Sequence, residues 1–228
     1  MKIDVLTLFP EMFSGIFSCS IIKRAVDDNI MSIDYHNIRD FSLDKHKRVD
    51  DYPFGGGQGM VMKPQPIFRA IESVKSDNAK VIYMSPKGRV FNQAIANELS
   101  KEEHIVILCG HYEGIDHRII DNYVDDVISI GDYVLTGGEI PAMVLIDSVG
   151  RLLPGVLSSE ESFIEESHYE GLLEHPQYTR PRIFNGIEVP EVLISGNHKK
   201  IEEWKKTEAL KLTMKVRPDI IKKLKLKE

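Results

Sequence analysis

Between residues 129 and 142 the chain reads Ser-Ile-Gly-Asp-Tyr-Val-Leu-Thr-Gly-Gly-Glu-Ile-Pro-Ala, which joins an apolar strand-like run to a helix-like run. Glycine lacks a Cβ, so the backbone at Gly131, Gly137 and Gly138 can adopt positive φ and lie close to a bound molecule. Pro141 suits the first turn of a helix, where no N–H is needed. Two interpretations are open at this point: a turn that only connects two elements, or one wall of a binding pocket.

Two further glycine-bearing loops favour the pocket. They read Ser-Pro-Lys-Gly at 85–88 and Gly-His-Tyr-Glu-Gly at 110–114, and each follows a strand-like run. Strand-like and helix-like runs alternate through the first 150 residues or so, which predicts βαβ units and an α/β fold with a mostly parallel sheet. Ligands of such sheets bind outside the carboxyl ends of the strands. The three loops therefore predict one pocket for a small, bent molecule.

Several common kinds of site are excluded because their motifs are missing. No G-x-G-x-x-G follows the first strand-like run and no G-x-x-x-x-G-K-[ST] occurs, so a pyrophosphate site is not expected. A serine hydrolase would need a G-x-S-x-G elbow, which is also missing. The eight histidines do not fall at metal-ligand spacings, so we predict no metal site.

The composition is typical of a globular cytoplasmic protein. Hydrophobic residues make up 42% of the chain and charged residues 28%. The two cysteines, Cys19 and Cys109, lie far apart, as in a reducing compartment. No apolar run approaches the ~20 residues that span a bilayer, and no signal peptide is visible. We expect a cytoplasmic location and no membrane partner.

Charge divides the chain unevenly. Residues 199–228 hold eleven Lys and Arg against five Asp and Glu, whereas the rest holds 18 basic and 30 acidic residues. A basic segment on an acidic body favours a partner with phosphate groups, although a solvated lysine-rich helix fits the charge equally well. Ser and Glu dominate 158–170, as in a linker. We predict an α/β domain at 1–157, a flexible acidic linker at 158–175, and a small, basic, mainly helical domain at 176–228.

Several long motifs then occur in the order typical of one family. They include Leu-Phe-Pro-Glu-Met-Phe at 8–13, Asp-Asp-Tyr-Pro-Phe-Gly-Gly-Gly-Gln-Gly-Met at 50–60, Cys-Gly-His-Tyr-Glu-Gly at 109–114, Ile-Gly-Asp-Tyr-Val-Leu-Thr-Gly-Gly-Glu at 130–139 and Pro-Gln-Tyr-Thr-Arg-Pro at 176–181. On these motifs the chain closely resembles, nearly end to end, the bacterial tRNA (guanine-N1)-methyltransferases, the TrmD family of SPOUT methyltransferases. The resemblance implies a SPOUT-type sheet with a deep trefoil knot, which is a rare exception to the rule against threading.

The resemblance also implies a cofactor and an assembly. S-adenosylmethionine, the methyl donor, would bind in a bent conformation in the knot loops of the 1–157 domain. The family works as a homodimer whose active sites lie at the interface and whose tRNA is held by both subunits. Magnesium assistance is discussed for the family, but no ligand cluster in this sequence supports a dedicated site. The donor-binding residues carried over by position are Tyr83, Met84, Ser85, Pro86, Gly110, Tyr112, Glu113, Ile130, Gly131, Asp132, Tyr133, Val134, Leu135, Gly137, Gly138 and Pro141.

The implied reaction methylates N1 of the guanosine at tRNA position 37. N1 bears a proton, so a base must remove it, an effect worth ~10²–10⁴-fold, while a guanidinium can stabilise the charge that builds on O6. The family assigns the second role to the arginine matching Arg151 and the first to a linker aspartate. Fifteen residues after Arg151 this chain has Glu166 instead, whose side chain is longer by one methylene. We favour Glu166 as the base, with Glu113, Glu165 and Glu170 as alternatives.

The C-terminal domain is the expected tRNA contact. Lys222 and Lys223 would meet phosphates, and Ser195, Asn197 and His198 would approach the anticodon stem. Two other functions stay open: a SPOUT enzyme that methylates another base or a ribose hydroxyl, and a non-catalytic RNA-binding or ligand-sensing module. The carboxylates and the arginine named above favour an enzyme, because a binding module needs no base beside an arginine.

Overall fold

A computed structural model gives the fold of residues 1–157, 167–168 and 171–225, the last three by their backbone alone. The chain separates into two units, Met1–Ser158 and Ser159–Glu228. Most of the predicted linker at 158–175 lies outside the described residues, so its flexibility stays a prediction. The functions predicted for the two domains also stay predictions.

The first unit is an α/β structure. Its strands are β1 (Lys2–Thr7), β2 (Ser32–Asn37), β3 (Asp50–Asp51), β4 (Val61–Met62), β5 (Ala79–Val90), β6 (His104–Cys109) and β7 (Asp126–Ser129). Its helices are α1 (Ser20–Asp27), α2 (Pro64–Val74), α3 (Gln93–Leu99), α4 (His117–Tyr123) and α5 (Glu139–Gly150). Among the described residues, five strands form one sheet in the order β2-β1-β6-β5-β7, and all of its pairings are parallel. The predicted fold class is confirmed, whereas the knot stays a prediction.

The middle of the sheet is the core of this unit. Every residue of β6 is buried, as the unbroken apolar run that follows His104 predicts for a strand covered on both faces. Leu108 of β6 lies between Leu6 of β1 and Tyr83 of β5 in the register of the sheet. These residues share a buried cluster with Ile67 and Ile71 of α2. The carboxyl end of β6 is therefore held between those of β1 and β5.

The sequence predicts one helix over 11–28 and an extended piece over 189–195, and the structure corrects both in part. Only the second half of 11–28 is α-helical, as α1, and its first half begins with a 3₁₀ turn, Pro10–Phe13. The hydroxyls of Ser14 and Ser18 donate to the carbonyls of Glu11 and Gly15, and such bonds compete with helix formation. The extended piece predicted over 189–195 contains a helical turn, Glu191–Ile194, which begins after Pro190.

The second unit pairs a short hairpin with helices. Strands β8 (Ile183–Phe184) and β9 (Ile187–Glu188) are antiparallel and joined by a two-residue turn. They precede α6 (Glu191–Ile194), α7 (His198–Val216) and α8 (Pro218–Lys225). Thr213 of α7 is fully buried and its hydroxyl accepts a bond from the Leu173 N–H at 2.9 Å. This bond fixes the residues before the hairpin to the long helix.

A buried carboxylate joins β1 to the strands on both of its sides, β2 and β6. Asp4 of β1 is 1% exposed, and its oxygens lie 2.6 Å from His36 Nε2, 2.7 Å from His104 Nε2 and 2.9 Å from Lys2 Nζ. His104 Nδ1 in turn lies 2.7 Å from the Ser76 hydroxyl. Burial raises the pKa of Asp4, but the bonds from Lys2, His36 and His104 outweigh it and leave that pKa below its ordinary value.

This network predicts a pH-dependent contribution to stability. Because the pKa of Asp4 is lower in the folded chain, its ionised form stabilises the fold above the ordinary value of 3.8, and the contribution disappears as pH falls through the folded pKa. We expect Asp4→Asn to lower the free energy of unfolding at pH 7 by about 2 kcal/mol, or roughly 4–8 °C in Tm. Thermal unfolding of both proteins between pH 7 and pH 3 measures the difference, which should shrink below pH 4. A difference that stays constant over this range would contradict the prediction.

Candidate functional site

A cavity of about 410 Å³ lies in the first unit, where β6 and β7 end and beside a bulge in β5. The three predicted loops form its walls. All of the predicted donor-binding residues except Asp132 line it. Ten further lining residues were not among the predicted donor-binding residues. Five of them lie inside the three predicted loops, which was the signal for them, and the other five follow the 110–114 loop or lie on α4 and β7. The ten are Lys87, His111, Gly114, Ser129 and Thr136, then Ile115, His117, Ile120, Val127 and Ile128.

The first wall is produced by a bulge rather than by the end of a strand. Both Met84 and Arg89 pair with Ile128 of β7, so residues 85–88 are looped out between them. Gly88 allows this because a Cβ at that position would lie 2.3 Å from the Val127 carbonyl oxygen. The strand then resumes as Arg89 and Val90, which the Pro-Lys-Gly sequence did not predict. The bulge thereby places Ser85, Pro86 and Lys87 in the cavity wall.

The second and third walls meet through glycine backbone. The Gly138 N–H donates to the Gly110 carbonyl at 3.0 Å, and a Cβ on Gly138 would lie 2.7 Å from Cys109 Cα. A Cβ on Gly110 would lie 2.8 Å from the Tyr83 hydroxyl. Gly138 has φ −82°, so close approach and not a positive φ excludes a side chain there. Gly131, with φ +146°, is the position of this loop where backbone conformation favours glycine.

A buried carboxylate joins these two walls to β1. Glu139, the first residue of α5, is 1% exposed and accepts a bond from the Thr7 hydroxyl at 2.6 Å. His111 Nε2 lies 2.8 Å from both of its oxygens. A Cβ on Gly137 would lie 2.4 Å from the His111 ring. The glycine loop, the 110–114 loop and the end of β1 thus share one polar centre.

Burial changes the ionisation of two groups beside the cavity. It raises the pKa of the Tyr83 hydroxyl, and the hydrogen bonds that this hydroxyl makes with Ser85 and with the Ile115 backbone partly offset the rise. It also raises the pKa of the fully buried Cys109 thiol, and the neighbouring charge of Glu139 adds to this. Both groups are therefore uncharged at neutral pH.

A second, wider cleft of about 1010 Å³ adjoins the cavity and shares Ile115 and His117 with it. The 50–60 motif forms one side, and three ion pairs already occupy its charged groups: Asp44–Arg48, Asp51–Lys63 and Asp116–Arg118. Most of its charges are thus paired within the protein, and Arg69, which also lines the cleft, donates to the Phe41 carbonyl. The smaller cavity instead has backbone walls open to a ligand. We therefore take the smaller cavity as the candidate donor site.

The predicted catalytic residues are only partly described. Glu113 is exposed in the cavity wall, where its N–H donates to the Met60 carbonyl at 3.0 Å and its side chain lies over Gly59. Arg151 is partly buried and directly follows α5. Glu166 lies outside the described residues, as do the alternatives Glu165 and Glu170.

The predicted RNA-binding residues lie on the exposed surface of the second unit. Asn197 caps α7 by accepting the Lys200 N–H at 3.1 Å, and the Ser195 hydroxyl accepts the Asn197 N–H at 3.2 Å. These bonds give both residues a local structural role, which the sequence analysis missed. His198 is the exposed first residue of α7, and Lys222 is exposed on α8. The side chain of Lys223 lies outside the described residues.

The described part of the chain shows neither a metal-ligand cluster nor a membrane-spanning helix. Within it, no three or more His, Cys, Asp or Glu side chains converge in a way that could hold a metal ion. No helix within it is both long and apolar enough to cross a bilayer.

Comparison with known proteins adds independent information. A family model described as tRNA (Guanine-1)-methyltransferase TrmD matches residues 1–223. A protein of Alkaliphilus metalliredigens named tRNA (guanine-N(1)-)-methyltransferase is 59% identical over 233 residues, covering 100% of this chain and 94% of the relative. Proteins with the same name from Ruminiclostridium cellulolyticum and Clostridioides difficile are 60% and 57% identical. Each of these covers 98% of this chain, and the chain covers 97% and 98% of them.

The close contact of Gly138 with the neighbouring wall predicts that alanine destabilises the protein at Gly138 but not at Gly15. Gly138→Ala should lower the free energy of unfolding by about 1–3 kcal/mol, because its Cβ would overlap the backbone of Cys109. Gly15→Ala is the control, since nothing lies within 4 Å of a Cβ there and its φ is not positive. Chemical denaturation of the two variants measures the effect. Equal stability of the two variants would show that the close approach does not matter.

Proposed function

Because this chain belongs to the tRNA (guanine-1)-methyltransferase TrmD family, we propose that it transfers a methyl group from S-adenosylmethionine to N1 of guanosine 37 of tRNA, next to the anticodon. The observation that carries the proposal is the cavity built from three loops in a chain that the family model matches over residues 1–223. We propose the cytoplasm, where tRNA is modified, as its location.

The cavity has properties that suit a small, bent donor. Its volume of about 410 Å³ lies within the ~300–1,000 Å³ typical of ligand sites. Tyr112, Tyr133, Val134 and Leu135 leave apolar surface exposed around it, which a bound ligand would cover. The glycine walls bring backbone N–H and C=O groups within reach of polar ligand atoms. When bound, S-adenosylmethionine supplies an electrophilic methyl group on a sulfonium.

The protein's own part in the reaction is to remove the proton from N1 of guanine and to stabilise the negative charge on O6. We assign the base to Glu166, whose carboxylate would accept the N1 proton of guanine, and the stabilisation of O6 to the Arg151 guanidinium. Glu113 is a second candidate for the base, because its exposed carboxylate lies in the wall of the donor cavity and over the 50–60 motif. A solvated loop carboxylate without a catalytic role is the competing interpretation of Glu113.

We also propose that the protein is a homodimer. Four large apolar side chains of the first unit are between 40% and 51% exposed, on the 3₁₀ turn, just after it and on α5: Met12, Ile16, Ile140 and Val144. Ile140 and Val144 are four residues apart and therefore share one face of α5. A second copy of the chain would cover this surface. Sedimentation analysis tests the proposal, and a monomer at micromolar concentration would contradict it.

The tRNA is proposed to contact the basic second unit. Residues 199–228 carry a charge of +6, and Lys222 is exposed on α8. Phosphate contacts make affinity fall steeply with salt. A Lys222→Glu/Lys223→Glu double variant that kept both the affinity for tRNA and its salt dependence would contradict this assignment.

The proposed reaction is tested with two tRNA transcripts that carry G or A at position 37. The purified chain and labelled S-adenosylmethionine should methylate the G37 transcript, and nucleoside analysis should place the label on N1 of that guanine. The A37 transcript should gain no label, because adenine has no proton on N1 and no O6. Label on the A37 transcript, on a ribose, or on neither transcript would contradict the proposal.

The proposed base predicts a specific loss of rate. Glu166→Gln removes the proton acceptor and keeps the shape of the side chain, so single-turnover methyl transfer should fall by about 10²–10⁴-fold. Glu165→Gln is the matched control and should stay within about threefold of wild type. Donor and tRNA affinities of both variants are measured separately to isolate chemistry from binding. A wild-type rate in Glu166→Gln would move the base to another carboxylate, of which Glu113 is the next to test.

A further inference from the structure

We propose that Glu139 is a positioning residue for the donor: without touching it, Glu139 holds His111 and the 110–114 loop in the shape that binds it. This inference rests on the proposed donor site. Glu139 does not line the cavity of about 410 Å³, whereas His111 does. The two side chains are joined by contacts of 2.8 Å from His111 Nε2 to both carboxylate oxygens. Glu139 therefore acts on the cavity through His111.

Glu139 links three parts of the chain through its place in the sequence and its hydrogen bonds. It begins α5 directly after the Gly137-Gly138 wall, it accepts the Thr7 hydroxyl at the end of β1, and it holds His111 in the wall that follows β6. The Thr7 hydroxyl is itself fixed, because it accepts the Phe9 N–H at 2.9 Å. A carboxylate so deeply buried is stable only when such partners satisfy it. The same bonds therefore fix the distance between the two walls.

His111 transmits this constraint to the loop that contains Tyr112 and Glu113. Its ring packs edge-on against Phe9, with centroids 4.9 Å apart, and also approaches the Tyr112 ring at 6.2 Å. Tyr112 has φ +59°, a conformation that costs a non-glycine residue energy and persists only when its surroundings impose it. If His111 lost its bond to Glu139, Tyr112 would lose one of the contacts that impose this conformation. We expect the loop to relax and the cavity wall to lose its shape.

The chain contains a matched pair that separates positioning from general stability. His104 Nε2 lies 2.7 Å from Asp4, which like Glu139 is a buried carboxylate of 1% exposure. His104 begins β6, whereas His111 follows the end of that strand. His104 serves as the control. At ~3.3 Å per residue, the five residues from His104 to Cys109 place it about 17 Å from the end of β6 that borders the cavity. Loss of either histidine breaks the same kind of bond, but only one of them borders the cavity.

The experiment measures the affinity of the full-length protein for S-adenosylmethionine by titration calorimetry, together with Tm. His111→Phe keeps a ring without the nitrogen, and Glu139→Met keeps the length without the acceptor oxygens. Each should weaken donor binding about tenfold or more. The double variant should lose little more than either single one, because both break the same tie. His104→Phe should lower Tm by about as much as His111→Phe does, while its donor affinity stays within about twofold of wild type.

The outcomes separate this inference from the proposed function. A wild-type protein that does not bind S-adenosylmethionine would contradict the proposed function itself. Wild-type binding with unchanged affinity in Glu139→Met would overturn only the positioning role. If the losses of donor affinity in the two single variants multiply in the double variant, His111 acts by direct contact with the donor. If His104→Phe loses as much donor affinity as His111→Phe, the effect is one of general stability. Either result overturns the inference. Where Glu139→Met does not fold, Glu139→Asp draws the carboxylate back by one methylene, and wild-type affinity in that variant also overturns it.

Discussion

The cavity depends on a backbone contact that tolerates no side chain. Gly138 lies so close to Cys109 and Gly110 that a Cβ would occupy space already filled by main-chain atoms, and the Gly138 N–H uses this closeness to reach the Gly110 carbonyl. Gly110 in turn lies against the Tyr83 hydroxyl. The loops that follow β6 and β7 are thus set at one spacing by the volume of their backbones, and the Tyr83 side chain separates the first of them from β5. Side-chain contacts can shift by a rotamer change, but backbone contacts of this kind cannot.

Hydrogen bonds to buried carboxylates hold the same sheet at two places. Asp4 lies near the beginning of β1 and contacts His104 at the beginning of β6, and Thr7 at the end of β1 donates to Glu139, the partner of His111. Between these two polar centres β6 is wholly buried and apolar. Apolar packing is not directional, whereas hydrogen bonds to a carboxylate fix both distance and angle. The register of the central strands and the position of the loops after them are thereby defined at both ends.

The sequence predicts those features that local residue patterns determine. The unbroken apolar run of β6 indicates a buried strand, and glycines after three strand-like runs indicate loops at one edge of a parallel sheet. Features that depend on distant residues were not predictable in this way. The continuation of β5 beyond Gly88 depends on space beside Val127, and the bond from Thr7 to Glu139 joins residues 132 positions apart. The spacing of the histidines argued only against a metal site, and the partner of His111 is 28 positions away, so its bond to Glu139 had no local signal.

The burial of Cys109 has a consequence for any protein that holds an alkylating ligand. A thiolate is the strongest nucleophile among ordinary side chains, and a sulfonium methyl group next to one would alkylate it. Cys109 directly precedes the Gly110 wall, yet it is fully buried beneath Gly138, and burial and the charge of Glu139 keep its pKa raised. The thiol therefore stays protonated and covered. If the proposed donor binds in the cavity, the packing that shapes the cavity would also keep this thiol from reacting with the methyl group.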